Sequence, residues 1–463
     1  MSALWTAEEA ERATDGKAVG DWQVTGLSID TRSIEPGEMF VALKDQRDGH
    51  DFVADALGKG AAAALVSRVP EGVAADAPLL IVEDVLRALE DMGRHARARA
   101  PAKVIGVTGS VGKTSTKEML RTVFAPNFKT HAAVKSFNNH WGVPLTLARM
   151  PADTEIAIIE IGMNAPGEIE PLAKMADLDV AIVTTVAAVH AEAFEDVEGI
   201  ALEKASIFGG LRKDGVAIFN ADFETVDIVA RAAKPFKSIT FGQAEGANFQ
   251  SMRVQSTGAV SSCLARAHGK EIAFKFQAAG AHFAQNALAV LASAEAVGLE
   301  LSQAMMNLAD WTAPAGRGER SVLKLSGKVL ELIDESYNAN PTSVGAAMDV
   351  LASSAPSLQT GRRIAMLGDM LELGPEEAAL HAQLSEHRAI AELDIVHCVG
   401  LRMQNLYDAL PYDKRGNWYS NSEELIAELD HLLRSGDVVM IKGSLGAKMG
   451  PIVQALKQKA QGG

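Results

Sequence analysis

Lys103-Val-Ile-Gly-Val-Thr108-Gly109-Ser110-Val111-Gly112-Lys113-Thr114-Ser115, running on through TKEMLRTVF to Phe124, decides the fold. An apolar run, KVIGVT, enters a glycine-rich turn, and the turn opens a stretch with helical spacing. Strand, loop and helix in that order are the context in which a glycine-lysine-threonine turn binds phosphate. Glycines let the backbone curl until several N–H groups point inward at phosphate oxygens. The helix N-terminus adds a partial positive charge. Lys113 is expected to reach the terminal phosphates, and the Thr114 hydroxyl to ligate Mg2+. The general loop pattern wants glycine at position 107, where valine stands; Gly106 is one place too early. The variant TGSxGKT is narrower, and it predicts that Gly109, Ser110, Val111, Gly112, Lys113, Thr114 and Ser115 surround a nucleotide triphosphate.

Working outward, more apolar runs follow: IAIIEIG at 156–162, DVAIVTTV at 179–186, GVAIFN at 215–220 and SITFG at 238–242. They are continuous rather than alternating, which suits strands of a mainly parallel sheet covered on both faces. Helical stretches lie between them, giving α/β units. Residues 247–277 alternate and predict an antiparallel side sheet, and an Ala-rich helix is expected from about His282 to Val297. Before Lys103, short strand-like runs at 24–30, 39–43, 61–66 and 78–83 mix with helical patches. After the Pro/Gly break TAPAGRGER, 312–320, runs at 329–335, 362–368, 394–400 and 437–443 predict a second doubly wound α/β unit. Three domains are expected: 1–100, 101–314 with the phosphate loop, and a Rossmann-like 315–463. A chain of 463 residues is too long for one ordinary domain in any case.

The 44 Lys and Arg against 59 Asp and Glu give a net charge of -15. That excludes a general nucleic-acid binder, which needs basic surface. The two cysteines, Cys263 and Cys398, have neither disulfide-framework nor metal-ligand spacing. No run of 18 apolar residues occurs, and the N-terminus lacks a signal-like apolar core. A cytoplasmic chain without a membrane span is expected.

Ligands in parallel sheets gather at the carboxyl ends of strands. Glu160 ends IAIIE and is a candidate magnesium ligand there. His190 follows the neighbouring apolar strand, and Lys204 sits on a predicted helix in ALEKASIF, where a surface lysine is the plain expectation.

TGSVGKTSTKEML, Asn138-Asn139-His-Trp-Gly-Val-Pro144, IEIGMNAPGEI at 159–169, the helix HFAQNALA from His282, and Asp334-Glu-Ser-Tyr-Asn-Ala-Asn-Pro341 occur in that order. Together they resemble the Mur ligases of bacterial cell-wall synthesis over essentially the whole chain. Within that family, YNANP, GDMLELG at 368–374 and NNxxGVP resemble the member that adds D-alanyl-D-alanine to the UDP-linked muramoyl tripeptide. The resemblance implies an ADP-forming ligase of peptidoglycan synthesis, and hence of cell shape and division. It implies ATP, two Mg2+ sites, an acyl-phosphate intermediate and a monomer, with UDP-N-acetylmuramoyl-tripeptide and D-alanyl-D-alanine as substrates. It further implies that Ser28, Asp30, Thr31 and Arg32 meet the UDP-sugar, and that Asn138 and Asn139 touch substrate beside the phosphate loop. Asn286 would lie near the adenine, and Arg317 and Asp334 would reach the nucleotide. Asn338 and Asn340 would face nucleotide or acceptor. Thr114, Glu160, His190 and Lys204, the last as a carbamate, would hold metal; Lys113, Lys204, His190 and Arg317 would serve catalysis.

Two other readings stay open on sequence. One is a folylpolyglutamate-synthase-like ligase, against which the SIDTRS segment at 28–33 argues. The other is a phosphate-loop ATPase switch that hydrolyses ATP to control a partner.

Overall fold

The computed structural model describes residues 3–134, 136–188, 192–325 and 327–461. Three large sheets organise them, beside a two-stranded pair of Trp5–Thr6 with Gln23–Val24, and each large sheet carries its own buried core. The largest has nine strands, in the order Lys270–Phe276, Val260–Ala267, Phe249–Thr257, Lys237–Gly242, Leu211–Asn220, Leu178–Val183, Lys103–Thr108, Ile156–Glu160, Thr130–Ala132. The strand that feeds the phosphate loop is central, pairing in parallel with both neighbours: Ile105 faces Val180 on one side and Ile158 on the other. From Val104 on its side chains are buried on both faces, which is why 104–107 is a continuous apolar run rather than an alternating one.

The alternating segment 247–277 does form antiparallel strands, but they extend the main sheet instead of making a separate one. Asn248 makes the join: its Oδ1 accepts from the Thr240 N–H at 2.8 Å and the Thr240 hydroxyl at 3.0 Å. Phe249 then falls in parallel register with Phe241. The helix Ala281–Val297 is buried on nearly every side between this sheet and the helix Lys113–Phe124. Its alanines keep it thin enough to pack closely, and its N-terminal end points toward the phosphate loop through Asn286.

The C-terminal sheet runs Glu319–Leu325, Lys328–Glu335, Val438–Lys442, Arg363–Gly368, Ile395–Val399, Arg415–Tyr419. All its pairings are parallel except the first, a hairpin whose outer strand was not expected from sequence. That strand alternates, with Leu323 and Leu325 buried and Val322 exposed, and it lies against the Pro/Gly break that dominated the reading there. The N-terminal sheet of five short strands ends on Gly26–Ser28. Its unit leans on the central one through the helices Val85–Arg99 and Gly142–Ala148, with Trp5 donating from Nε1 to the Ala148 carbonyl at 2.8 Å. Among the described residues no helix is long and apolar enough to cross a membrane.

Candidate active site

The phosphate loop is held from behind by the strand continuation 184–187. Ser110 donates from its backbone to the Thr185 carbonyl at 2.9 Å and from its hydroxyl to the Ala187 carbonyl at 3.0 Å. The Thr184 hydroxyl donates to the Val111 carbonyl at 2.6 Å. Two glycines are required here. Gly109 has φ +149°, and a Cβ on it would sit 1.9 Å from Thr184 Oγ1; Gly112 has φ +88°, with Asn286 Oδ1 2.8 Å from the same imagined atom. Asn286 thus packs directly on the loop.

Lys113 donates from Nζ to the Gly109 carbonyl at 2.7 Å, closing its own loop. Burial lowers its pKa, and Arg317 acts in the same direction against the opposing pull of Glu160. Glu160 is only 1% exposed and takes neutral donors: the Thr114 hydroxyl, 3.0 and 3.1 Å from its two oxygens, and Asn138 Nδ2 at 2.8 Å. A buried carboxylate satisfied by neutral groups, facing a threonine hydroxyl, is a hard-oxygen donor set that fits Mg2+. Among the described residues no group of three or more His, Cys, Asp or Glu is placed to hold a metal ion.

These groups open into a cleft of about 590 Å³. The far wall belongs to the C-terminal sheet: Gly316, Arg317, Glu335, Tyr337, Asn338, Asn340, Lys442 and Ser444. Arg317 stacks its guanidinium on the Tyr337 ring, 4.1 Å from the centroid, and points toward the central unit, with Nη2 3.5 Å from Ser136 Oγ. Asn139, Asn338 and Asn340 line the cleft while each turns a side-chain oxygen onto backbone N–H groups. Asn139 Oδ1 accepts from the Trp141 and Gly142 N–H groups, Asn338 Oδ1 from the Ala339 N–H, and Asn340 caps Pro341–Ala352.

Two expected residues differ in placement. Asp334 is 4% exposed and does not line the cleft. Its oxygens accept from the Gly316 N–H at 3.0 Å and from the Ser336 N–H and hydroxyl at 3.1 and 2.6 Å, so it anchors the loop that carries Arg317 rather than offering itself to a ribose. Lys204 is no surface lysine: it is 1% exposed on the helix Val197–Ala205. Burial holds its pKa well below the ordinary lysine value, and the neighbouring Lys113 charge adds to that. His190 lies outside the described residues.

Tyr337, Glu335 and Lys442 were missed in sequence. Glu335 and Lys442 end adjacent parallel strands and form an ion pair at 3.2 Å, with Lys442 also donating to the Asn338 carbonyl at 3.0 Å. The strand-end rule that singled out Glu160 applies equally to them.

A second cavity, of about 880 Å³, lies between the N-terminal and central units. Ser28, Asp30, Thr31 and Arg32 line it together with Arg47, Phe137, Trp141 and Arg149. Arg32 is forked onto Asp30, with Nε–Oδ1 2.9 Å and Nη2–Oδ2 2.7 Å. The segment 136–141 is a wall common to both spaces: Ser136, Asn138 and Asn139 face the cleft, while Phe137 and Trp141 face the cavity.

Three family profiles match in succession: "Mur ligase family, catalytic domain" over residues 23–97, "Mur ligase middle domain" over 107–294, and "Mur ligase, glutamate ligase domain" over 319–445. The UDP-N-acetylmuramoyl-tripeptide–D-alanyl-D-alanine ligase of Rickettsia prowazekii is 32% identical over 454 residues, covering 97% of this chain and 99% of that relative. The enzyme of the same name from Escherichia coli is 34% identical, covering 95% of each. A crystal structure of MurF from Acinetobacter baumannii superposes with a TM-score of 0.84 at 28% identity, covering 98% of this chain and 99% of that one. With identity above 30% sustained along nearly the full length of both chains, this protein belongs to the Mur ligase family.

Proposed function

We propose that the chain is a cytoplasmic ligase that joins D-alanyl-D-alanine to UDP-N-acetylmuramoyl-tripeptide at the expense of ATP, through an acyl phosphate. The observation that carries this reading is the common wall at 136–141, which brings a cavity fit for a nucleotide sugar up against a phosphate-loop cleft. A substrate seated in the first space can lay its far end, the tripeptide carboxylate, beside the second. The work divides as 1–100 for the UDP end, 101–314 for ATP and 315–463 for the acceptor.

In this reading the carboxylate attacks the γ-phosphorus, and ADP leaves. The D-alanyl-D-alanine amine then attacks the acyl carbon, and phosphate leaves with one of the original carboxylate oxygens. The obstacle is charge, because an anionic nucleophile must approach a polyanion. Lys113 exchanges the Gly109 carbonyl for phosphate oxygens, and Arg317 crosses from the C-terminal wall to the same charge. Thr114 and Glu160 would hold Mg2+, which when bound offsets phosphate charge. Asn286, packed on Gly112, is the candidate adenine contact. The step depends on in-line placement more than on acid–base chemistry, so the rigid backing of the loop is itself catalytic equipment. Closure of the C-terminal wall excludes water from the acyl phosphate.

Lys204 is assigned as a carbamate in the working enzyme. Burial beside Lys113 favours its neutral amine, which can add to CO2 with loss of a proton. The product is an anion, which would relieve the like-charge repulsion and, with His190, would offer ligands for a second Mg2+.

The test is ligation with UDP-muramoyl tripeptide and ATP, comparing D-alanyl-D-alanine with single amino acids. Pentapeptide formation and phosphate release only when both substrates are present support the reading. Rapid ATP hydrolysis without the UDP-peptide would instead fit an ATPase switch, and preference for a single amino acid would fit another ligase of the family.

A further inference from the structure

The cavity between the N-terminal and central units contains a cation supplied from across the boundary. Arg149 follows the central helix Gly142–Ala148, yet its side chain reaches the cavity beside Ser28. Its Nε donates to the Leu27 carbonyl at 2.6 Å, and Nη2 donates to the same oxygen. The guanidinium also lies over the Phe137 ring, 5.7 Å from the centroid. No carboxylate accepts a hydrogen bond from it among the described residues. Glu38 is the acid whose charge it feels, and Glu38 already accepts from the Glu35 N–H at 2.9 Å. Burial lowers the Arg149 pKa more than Glu38 raises it.

The other two arginines of the cavity are held differently. Arg32 is exposed and forked onto Asp30, and Arg47 is exposed over the Phe52 ring at 5.5 Å. A partly buried ion costs free energy unless an opposite charge completes it. Arg149 spends two donors on one neutral oxygen and keeps Nη1 without a hydrogen bond among the described residues. A guanidinium with an open edge, facing a cavity, suits a phosphate group by shape and charge.

We propose that Arg149 binds the diphosphate of the UDP-linked substrate, so that a residue of the central unit fastens the N-terminal cavity onto its ligand. This rests on the ligase reading above and adds a function to it. Because Arg149 and the wall at 136–141 both belong to the central unit, gripping the diphosphate there sets how far the tripeptide reaches toward Glu160.

The full-length protein is titrated calorimetrically with uridine, UMP, UDP and a non-hydrolysable ATP analogue. Arg149→Gln, which keeps a donor for Leu27, is expected to lose about tenfold of the UDP affinity, in line with a lost charge-assisted hydrogen bond. Uridine and the ATP analogue should bind as before. Arg149→Lys, which keeps the charge without the fork, should fall between and serves if the glutamine variant does not fold. A UDP-to-uridine affinity ratio equal to wild type in either folded variant overturns the assignment of Arg149 while leaving the ligase reading intact. Failure of the wild-type protein to bind any uridine compound overturns both.

Discussion

The cleft and the N-terminal cavity hold their cations in opposite ways. In the cleft, Lys113 rests on a backbone carbonyl and Arg317 on an aromatic face, while Lys204 is buried close enough to feel the Lys113 charge. In the cavity, Arg32 is already locked by a carboxylate. Arg47 lies exposed over the Phe52 ring, and Arg149, partly buried and held by a neutral backbone oxygen, resembles the cleft cations. The difference separates two jobs. A cation satisfied by neutral groups is available to an incoming anion, because the exchange leaves no protein charge unpaired. A cation held by a carboxylate shapes the chain, since recruiting it would strand the acid. Lys442 shows that location alone is not the criterion: it lines the cleft, yet Glu335 and the Asn338 carbonyl hold it.

Substitutions can break or sharpen this contrast. The largest effect is expected at Lys113→Ala, with ligation falling by about a thousandfold or more, as for other groups that neutralise a transferring phosphoryl. Near-normal turnover would remove the phosphate loop from the mechanism. Next comes Lys204→Ala, expected to lose about a hundredfold in kcat. Added short-chain carboxylate should restore part of it by standing in for the carbamate, and full activity without rescue would take Lys204 out of the site. Asp334→Asn should act more weakly. It frees the loop that carries Arg317, costing about 1–3 kcal/mol of stability and raising the KM for ATP with a smaller change in kcat. Equal thermal stability with a selective loss of ribose discrimination would instead make Asp334 a direct nucleotide contact. The smallest effect is expected at Arg32→Ala, within about 0.5 kcal/mol in UDP affinity because Asp30 already holds it at the exposed rim. A loss larger than that of Arg149→Gln would reverse the contrast within the cavity.

Much of this was legible in the sequence wherever function depends on backbone. The phosphate loop reads directly, because glycines at 109 and 112 are forced by Thr184 and Asn286 crowding the places where side chains would be. The parallel strands read because burial on both faces leaves no room for polar residues. The burial of Lys204 did not read. On its helix it follows the exposed Leu202 and sits beside Glu203, whose carboxylate accepts from the Gly167 and Ile169 N–H groups at 2.8 Å, so the usual link between polarity and exposure is inverted. The hydrogen bonding of Asp334 did not read for a related reason. It stands one residue before the carboxyl end of its strand, but a loop that folds back over it took both its oxygens. The hairpin strand Glu319–Leu325 was hidden by the glycines preceding it, Gly316 and Gly318, which turn the chain with positive φ instead of ending the structure.

Arg149 and the cavity side of the wall at 136–141 belong to a third category: Asn138 and Asn139 carry a motif, but Arg149, Phe137 and Trp141 carry none that states a role at the cavity. Their significance arises only when the N-terminal sheet docks on the helix Gly142–Ala148 and brings Leu27 to the guanidinium. Contacts between units are set by surfaces far apart in sequence, and local patterns do not encode them.

The most direct test of a carboxylate activated inside the cleft uses UDP-muramoyl tripeptide labelled with 18O in its terminal carboxylate. After ligation with ATP and D-alanyl-D-alanine, released phosphate is analysed by mass spectrometry. One labelled oxygen in each phosphate is the expected result, because the acyl carbon gives up that oxygen when the amine attacks. Unlabelled phosphate, with one heavy oxygen kept in the new amide and the other lost to water, would contradict an acyl phosphate formed at Lys113.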